Sequence, residues 1–260
     1  MCLVLVAWQV HSRYPLVVAA NRDELFARPT AAASFWPESP RLLAGRDLQE
    51  GGTWLGVTRQ GRFAALTNFR DPASRRDAAA SRGHLVAEFL AGDALPSPYV
   101  DTVARSASSY NGFNLLAGDA RELVWFSNVS GERRRLPPGI YGISNHLLDT
   151  PWPKVEAAKS SLALALAALP DDDGLFRLLR DDTIHPDDAL PRTGVSIEWE
   201  RLLSAAFVAG PGYGTRSSTV VLMDIDGWTS FEEQTWLEGG RPGPRLRYRF
   251  RIEASRAHEK

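Results

Sequence analysis

The sequence predicts an α+β layered domain. Strand-like runs come first in hairpin pairs, helical patterns gather in the middle, and strand patterns return at the end. That order favours segregated layers over alternating βαβ units, which would interleave strands and helices throughout. At 260 residues the expectation is one domain over residues 1–260, large enough to bury roughly 70–75% of its unfolded surface without a metal or disulfide staple.

Leu3 to Val10 and Leu16 to Ala20 are rich in β-branched and aromatic residues, and His11 to Pro15 supply the turn between them. Asn21-Arg22-Asp23-Glu24 closes the second strand. Residues 28–50 read as irregular, punctuated by Pro29, Pro37, Pro40 and Gly45. Thr53 to Thr58 and Arg62 to Asn68 form a second hairpin around Gln60-Gly61, and residues 70–80 read as a mobile loop. Leu85, Val86, Phe89 and Leu90 have helical spacing, with a further helix over 98–109. Phe113 to Ala117, Leu123 to Asn128 and Ile140 to Ser144 read as strands. Helices are expected at 153–169 and 173–181, a Pro/Asp loop at 182–194, and strands at 217–225, 228–234 and 246–252. Arg133-Arg134-Arg135 fits a solvated strand edge.

Charge narrows the function classes. Thirty Lys plus Arg against 31 Asp plus Glu give a net charge of −1, which argues against nucleic acid or a membrane surface as a global partner. The apolar N-terminal run stops at Gln9, too short to span a bilayer, and no basic segment precedes it as a signal peptide requires. With one cysteine there is no intrachain disulfide. A cytoplasmic protein without stable membrane insertion is expected; the sequence leaves its oligomeric state open.

Gly210 to Gly214 lacks the Gly-Lys-Ser/Thr ending of a phosphate loop and precedes a strand. His11, His84, His146, His185 and His258 lack metal-ligand spacing, so no metal site is expected. The many tryptophans, Trp54 among them, suit core or pocket walls.

The chemistry points to Cys2. Initiator methionine is removed when the second residue is small, and a chain beginning at Cys2 carries a thiol and an α-amine on one residue. That amine has an ordinary pKa of about 7.7–8, so the pair is a minimal nucleophile and base. Strand alternation puts Asn21 and Asp23 on one face and Arg22 and Glu24 on the other. Either acid is then a candidate to orient the amine, depending on the hairpin register.

Met1-Cys2, Ala20 to Glu24, Gly45 to Gly56, Thr67 to Arg70, Asn111 to Leu116, Gly142 to Asn145 and Thr215 to Thr219 together resemble the NRDE family of transport-and-Golgi-organization-2-like proteins. That family is in turn similar to the N-terminal-nucleophile hydrolases of the penicillin V acylase and bile-salt hydrolase group. The resemblance implies a four-layer αββα fold with two stacked antiparallel sheets. It implies Cys2 as nucleophile, Arg22 and Asp23 beside it, Asn68 and Asn145 as oxyanion donors, and Arg216 near the cysteine. Asn21, Glu24, Trp54 and His146 are the expected substrate contacts. Those hydrolases place their Arg three residues before the catalytic Asp, whereas Arg22 and Asp23 are adjacent here.

Two functions follow as expectations. One is hydrolysis of a small, partly apolar linear amide, with no cofactor. The other, implied by eukaryotic relatives, is a non-catalytic carrier of a hydrophobic small molecule, haem or an acyl-lipid or acyl-CoA, in the same fold.

Overall fold

A computed structural model of the chain describes residues 2–77 and 79–253; Met1 and His258 lie outside these. One antiparallel sheet has six strands: β1 (Cys2–Trp8), β2 (Leu16–Leu25), β10 (Gly139–Ile143), β11 (Tyr213–Met223), β12 (Trp228–Leu237) and β13 (Arg241–Arg251), ordered β10-β1-β2-β11-β12-β13. The second has seven, in sequence order: β3 (Thr30–Trp36), β4 (Ser39–Asp47), β5 (Leu55–Thr58), β6 (Phe63–Asn68), β7 (Phe113–Gly118), β8 (Leu123–Ser127) and β9 (Arg133–Arg135). Helices α1 (Gly83–Ala91), α2 (Pro96–Arg105), α3 (Pro153–Ala165), α4 (Asp173–Leu179) and α5 (Ile197–Leu202) complete the fold.

Three apolar clusters stack these elements into the expected αββα layers. Val4, Val6 and Trp8 of β1 meet Val18, Leu43, Val57, Phe63 and Trp125 between the two sheets. The intervening Leu3, Leu5 and Ala7 point the other way, onto Val155 and Leu162 of α3 and Leu175 and Leu179 of α4. Both faces of β1 are therefore buried, and its sequence runs apolar without a break. On the far side, Leu85, Val86, Phe89 and Leu90 of α1 and Val100 and Val103 of α2 cover the second sheet. Burial of each such Leu or Phe contributes roughly 1.5–3 kcal/mol. Among the described residues no helix is long and apolar enough to cross a membrane.

The stretch 28–50 departs from its expected irregularity, forming the β3–β4 hairpin at the edge of the second sheet. Its prolines fall where the ladder does not need them. Pro29 precedes β3, Pro37 sits in the turn, and Pro40 lies where the register is interrupted between Phe35 and Trp36. Helix α5 was not expected; Ser196 caps it by accepting from the Trp199 amide at 3.5 Å. Arg133 to Arg135 form an exposed edge strand. Between residues 70 and 80, Arg76 ties the chain to the carbonyls of Ser108 and Tyr110 and to Asn111.

Candidate functional site

The registers of four strands set one polar row across the end of the first sheet. Cys2 lies opposite Arg22, Arg22 opposite Ser217, and Ser217 opposite Thr235. Opposed residues of antiparallel strands project to the same face, here the face that carries Val4 and Val6 into the inter-sheet core. The row forms part of the lining of a cleft of about 1060 Å³ where that apolar filling stops. The register therefore decides the open question of the Asn21–Glu24 segment: Arg22 and Glu24 share the side-chain face of Cys2. Asn21 and Asp23 face the helical layer, although β2 runs past the start of β1 and Asp23 also lines the cleft.

Asp23 is 2% exposed and accepts from Thr215 Oγ1 at 2.7 Å. Burial pushes its carboxyl up, and Lys154, the Thr215 hydroxyl and Arg70 pull it back. Lys154 is itself buried, with Nζ donating to Leu203 O at 2.7 Å, and burial lowers it to about 8 against the support of Asp23. Arg70 Nη1 pairs with Glu200 Oε2 at 2.8 Å, and both side chains are nearly inaccessible. Glu200 Oε1 also takes the amide and hydroxyl of Thr193, while the Arg70 guanidinium lies over the Trp152 ring. Lys154 and Glu200 escaped the sequence reading because tertiary packing alone brings Lys154 near Asp23 and Glu200 onto Arg70. Arg70 and Thr215 did carry a signal, since both fall inside the segments on which the family resemblance rests.

Burial pushes the Cys2 thiol up, and the Asp23 carboxylate adds to this. Arg22 and the Asp23 main-chain N–H work in the opposite direction, towards thiolate. Asn68 ends β6 half-buried at the cleft, and its side-chain amide makes no hydrogen bond among the described residues. Asn145 sits behind it, fully buried, with Nδ2 donating to Asn68 O at 3.0 Å and Oδ1 accepting from Ser144 and Arg70. The one Ser144 hydroxyl proton is shared between Asn145 Oδ1 and Cys2 O, the latter at 3.2 Å, which links this corner to β1.

Of the other expected contacts, Asn21 and His146 lie outside the cleft lining, whereas Glu24, Trp54 and Arg216 border it. Asn21 is 0% exposed and faces away from the cleft, its Nδ2 donating to Leu179 O and Ala206 O and its Oδ1 accepting from Ser218 Oγ. It joins sheet to helical layer and is not available to a substrate. His146 packs between Phe69 and Trp152, its Nδ1 paired with Thr150 Oγ1, outside the cleft lining; burial lowers its pKa. Arg216 borders the cleft but spends its guanidinium on the carbonyls of Leu25, Phe26 and Arg28 and on Thr30 Oγ1. Glu24 accepts from the Leu25 amide and lies 3.8 Å from Arg22, and Trp54 lines the cleft from the inter-sheet core.

The Gly45–Gly56 segment builds the opposite wall. Asp47 accepts the amides of Gln49 and Glu50 and pairs with Arg28 at 2.6 Å, and Gly51 turns the chain at φ +81°. A Cβ on Gly52 would stand 2.7 Å from Gly83 O, so glycine alone permits the contact that seats the start of α1. Arg82, just before α1, thereby enters the cleft with Nη1 donating to Gly112 O at 2.9 Å. No spacing or motif in the sequence marked Arg82. Glu233, on the cleft face of β12, accepts from the Ala33 amide at 2.7 Å; burial raises its carboxyl while that amide and Arg22 oppose the shift.

Two antiparallel sheets between helical layers, with a cysteine at a strand start opening onto a charged cleft, define the class. The chain belongs to the family Transport and Golgi organisation 2, whose sequence profile matches residues 1–238. The transport and Golgi organization protein 2 homolog of Bos taurus is 38% identical over 261 residues, covering 91% of this chain and 94% of that one. The Homo sapiens homolog is 36% identical over 260 residues, covering 92% and 94%. Among solved structures, the Caenorhabditis elegans N-acylethanolamine-hydrolyzing acid amidase ortholog aligns with a TM-score of 0.49 at 11% identity, over 85% of this chain and 92% of that chain.

Proposed function

We propose that this protein is an N-terminal cysteine amidohydrolase that cuts the C–N bond of a small linear amide. One observation carries the reading: the chain's only cysteine opens at a strand start into a cleft shared with Arg22 and the uncommitted amide of Asn68. In a chain beginning at Cys2, the new α-amine lies beside Asp23, because β2 continues past the partner of Cys2. The buried carboxylate holds that amine, and the amine takes the thiol proton as the thiolate attacks the amide carbonyl.

Asn68 donates to the developing oxyanion, a contact worth about 2.7–4 kcal/mol in the barrier. Asn145 acts behind it by fixing its main chain. Collapse of the intermediate breaks the C–N bond; the α-ammonium returns its proton to the departing amine, and water releases the acyl group from Cys2 as an acid. The charged walls favour a polar substrate over the hydrophobic cargo of a carrier. Action in the cytoplasm, where thiols stay reduced, suits a free Cys2.

Intact-mass measurement tests the reading. The mature chain should lack Met1 and gain an acyl mass from an amide panel, and Cys2→Ala should gain none. Retention of Met1, or no Cys2-dependent adduct or turnover across the panel, refutes it.

A further inference from the structure

Arg22 is a cleft cation with an unfilled donor. Among the described residues its Nη1 is buried without a hydrogen-bond partner, and its Nη2 stands 3.8 Å from Glu24 Oε2, beyond hydrogen-bond reach. Neighbouring guanidinium groups are committed: Arg28 to Asp47, Arg216 to the loop after β2, Arg70 to Glu200. The acids nearest Arg22 are also engaged, Glu24 with the Leu25 amide and Glu233 with the Ala33 amide. From the opposite wall Arg82 enters the same cleft with one Nη bonded to Gly112 O. Burial lowers the pKa of Arg82, and ionisation of Cys2 would do most to raise it.

A buried donor left unmatched costs roughly 1–3 kcal/mol, which a ligand that fills it recovers. Guanidinium forks match the planar or tetrahedral oxygens of carboxylates and phosphates better than any neutral group does. We infer that the cleft selects molecules bearing a carboxylate or phosphate close to the atom that Cys2 attacks, with Arg22 and Arg82 as the two anchors. As a statement of substrate class this rests on the hydrolase reading; as a binding site it does not.

With one cysteine in the chain, alkylation reports Cys2 alone. Second-order rates would be measured with iodoacetate and iodoacetamide, with glutathione run in the same buffer. The ratio of the two rates cancels the thiolate fraction. It should exceed the glutathione ratio about tenfold, the worth of one charge-assisted hydrogen bond, and fall towards it in Arg22→Met and Arg82→Met. A wild-type ratio within about twofold of glutathione overturns the proposal whether or not the variants fold.

Inorganic phosphate and acetate distinguish the two anions. Whichever better protects Cys2 from iodoacetamide names the group, and protection by neither overturns the site. A raised ratio without amide turnover retires the hydrolase and keeps the anion site. Turnover with a glutathione-like ratio does the reverse.

Discussion

Asn21 is the clearest place to separate support from chemistry. Its amide makes three hydrogen bonds within one buried layer. Nδ2 donates at 2.8 Å to Leu179 O at the end of α4 and at 2.8 Å to Ala206 O. Oδ1 accepts at 2.6 Å from Ser218 Oγ, which accepts in turn from Trp236 Nε1 at 2.8 Å. Asn21→Ala removes three hydrogen bonds directly and leaves two carbonyls dry and unmatched. At about 1–1.5 kcal/mol per bond, with some cavity cost, the loss should reach about 3–5 kcal/mol.

That is a large share of the ~5–15 kcal/mol by which domains are stable. Urea denaturation followed by tryptophan fluorescence would report it as a lower midpoint at constant slope. Asn21→Leu, close in volume, should lose a comparable amount, which assigns the effect to polar matching and not to packing. Below the midpoint, the rate at which iodoacetamide modifies Cys2 should stay within about twofold of wild type, since Asn21 faces away from the cleft. A stability loss under about 1 kcal/mol, or a tenfold slower Cys2 in a fully stable variant, would refute the assignment.

Gly52→Ala sets a Cβ 2.7 Å from Gly83 O, where only main chain can yield. It should destabilise the fold by about 1–3 kcal/mol in the same urea assay and slow Cys2 alkylation by iodoacetate as Arg82 moves; a neutral outcome in both would contradict the seating of α1. Lys154, lowered by burial from 10.5 to about 8, should penalise the folded state increasingly as pH falls from 10.5 to 8, with the full cost below 8. Wild type should therefore gain about 3 kcal/mol relative to Lys154→Met as pH rises through that window, and parallel stability curves for the two proteins would exclude a buried, titrating lysine.

Local pattern made the strands and helices legible where burial is one-sided or complete. The β1–β2 hairpin follows from two apolar runs and a turn, and α1 from Leu85, Val86, Phe89 and Leu90. Residues 28–50 misled because proline signals a break only when the ladder needs its missing N–H, and an edge hairpin with interrupted register does not. At the site, alternation separated Asn21 and Asp23 from Arg22 and Glu24, but only the Cys2–Arg22 register said which pair meets the thiol. Arg70 and Glu200 are 130 positions apart, and no periodicity reaches that far.

The register also explains how one short segment serves two layers. On β11, Thr215 pairs with Asp23 and Ser217 with Arg22, with Arg216 taken up in a bulge between them. If Arg216 kept its place in a regular ladder, Thr215 and Ser217, two positions apart, would point to the same face. With it, Thr215 turns to the helical side and bonds Asp23, Ser218 follows on that side to Asn21, and Ser217 faces the cleft beside Arg22. The displaced Arg216 is free to gather the carbonyls of the loop after β2. The bulge therefore puts buried support for Asp23 on one face and an open polar floor beside Cys2 on the other. Alternation running unbroken through Arg216 could give one of these arrangements but not both.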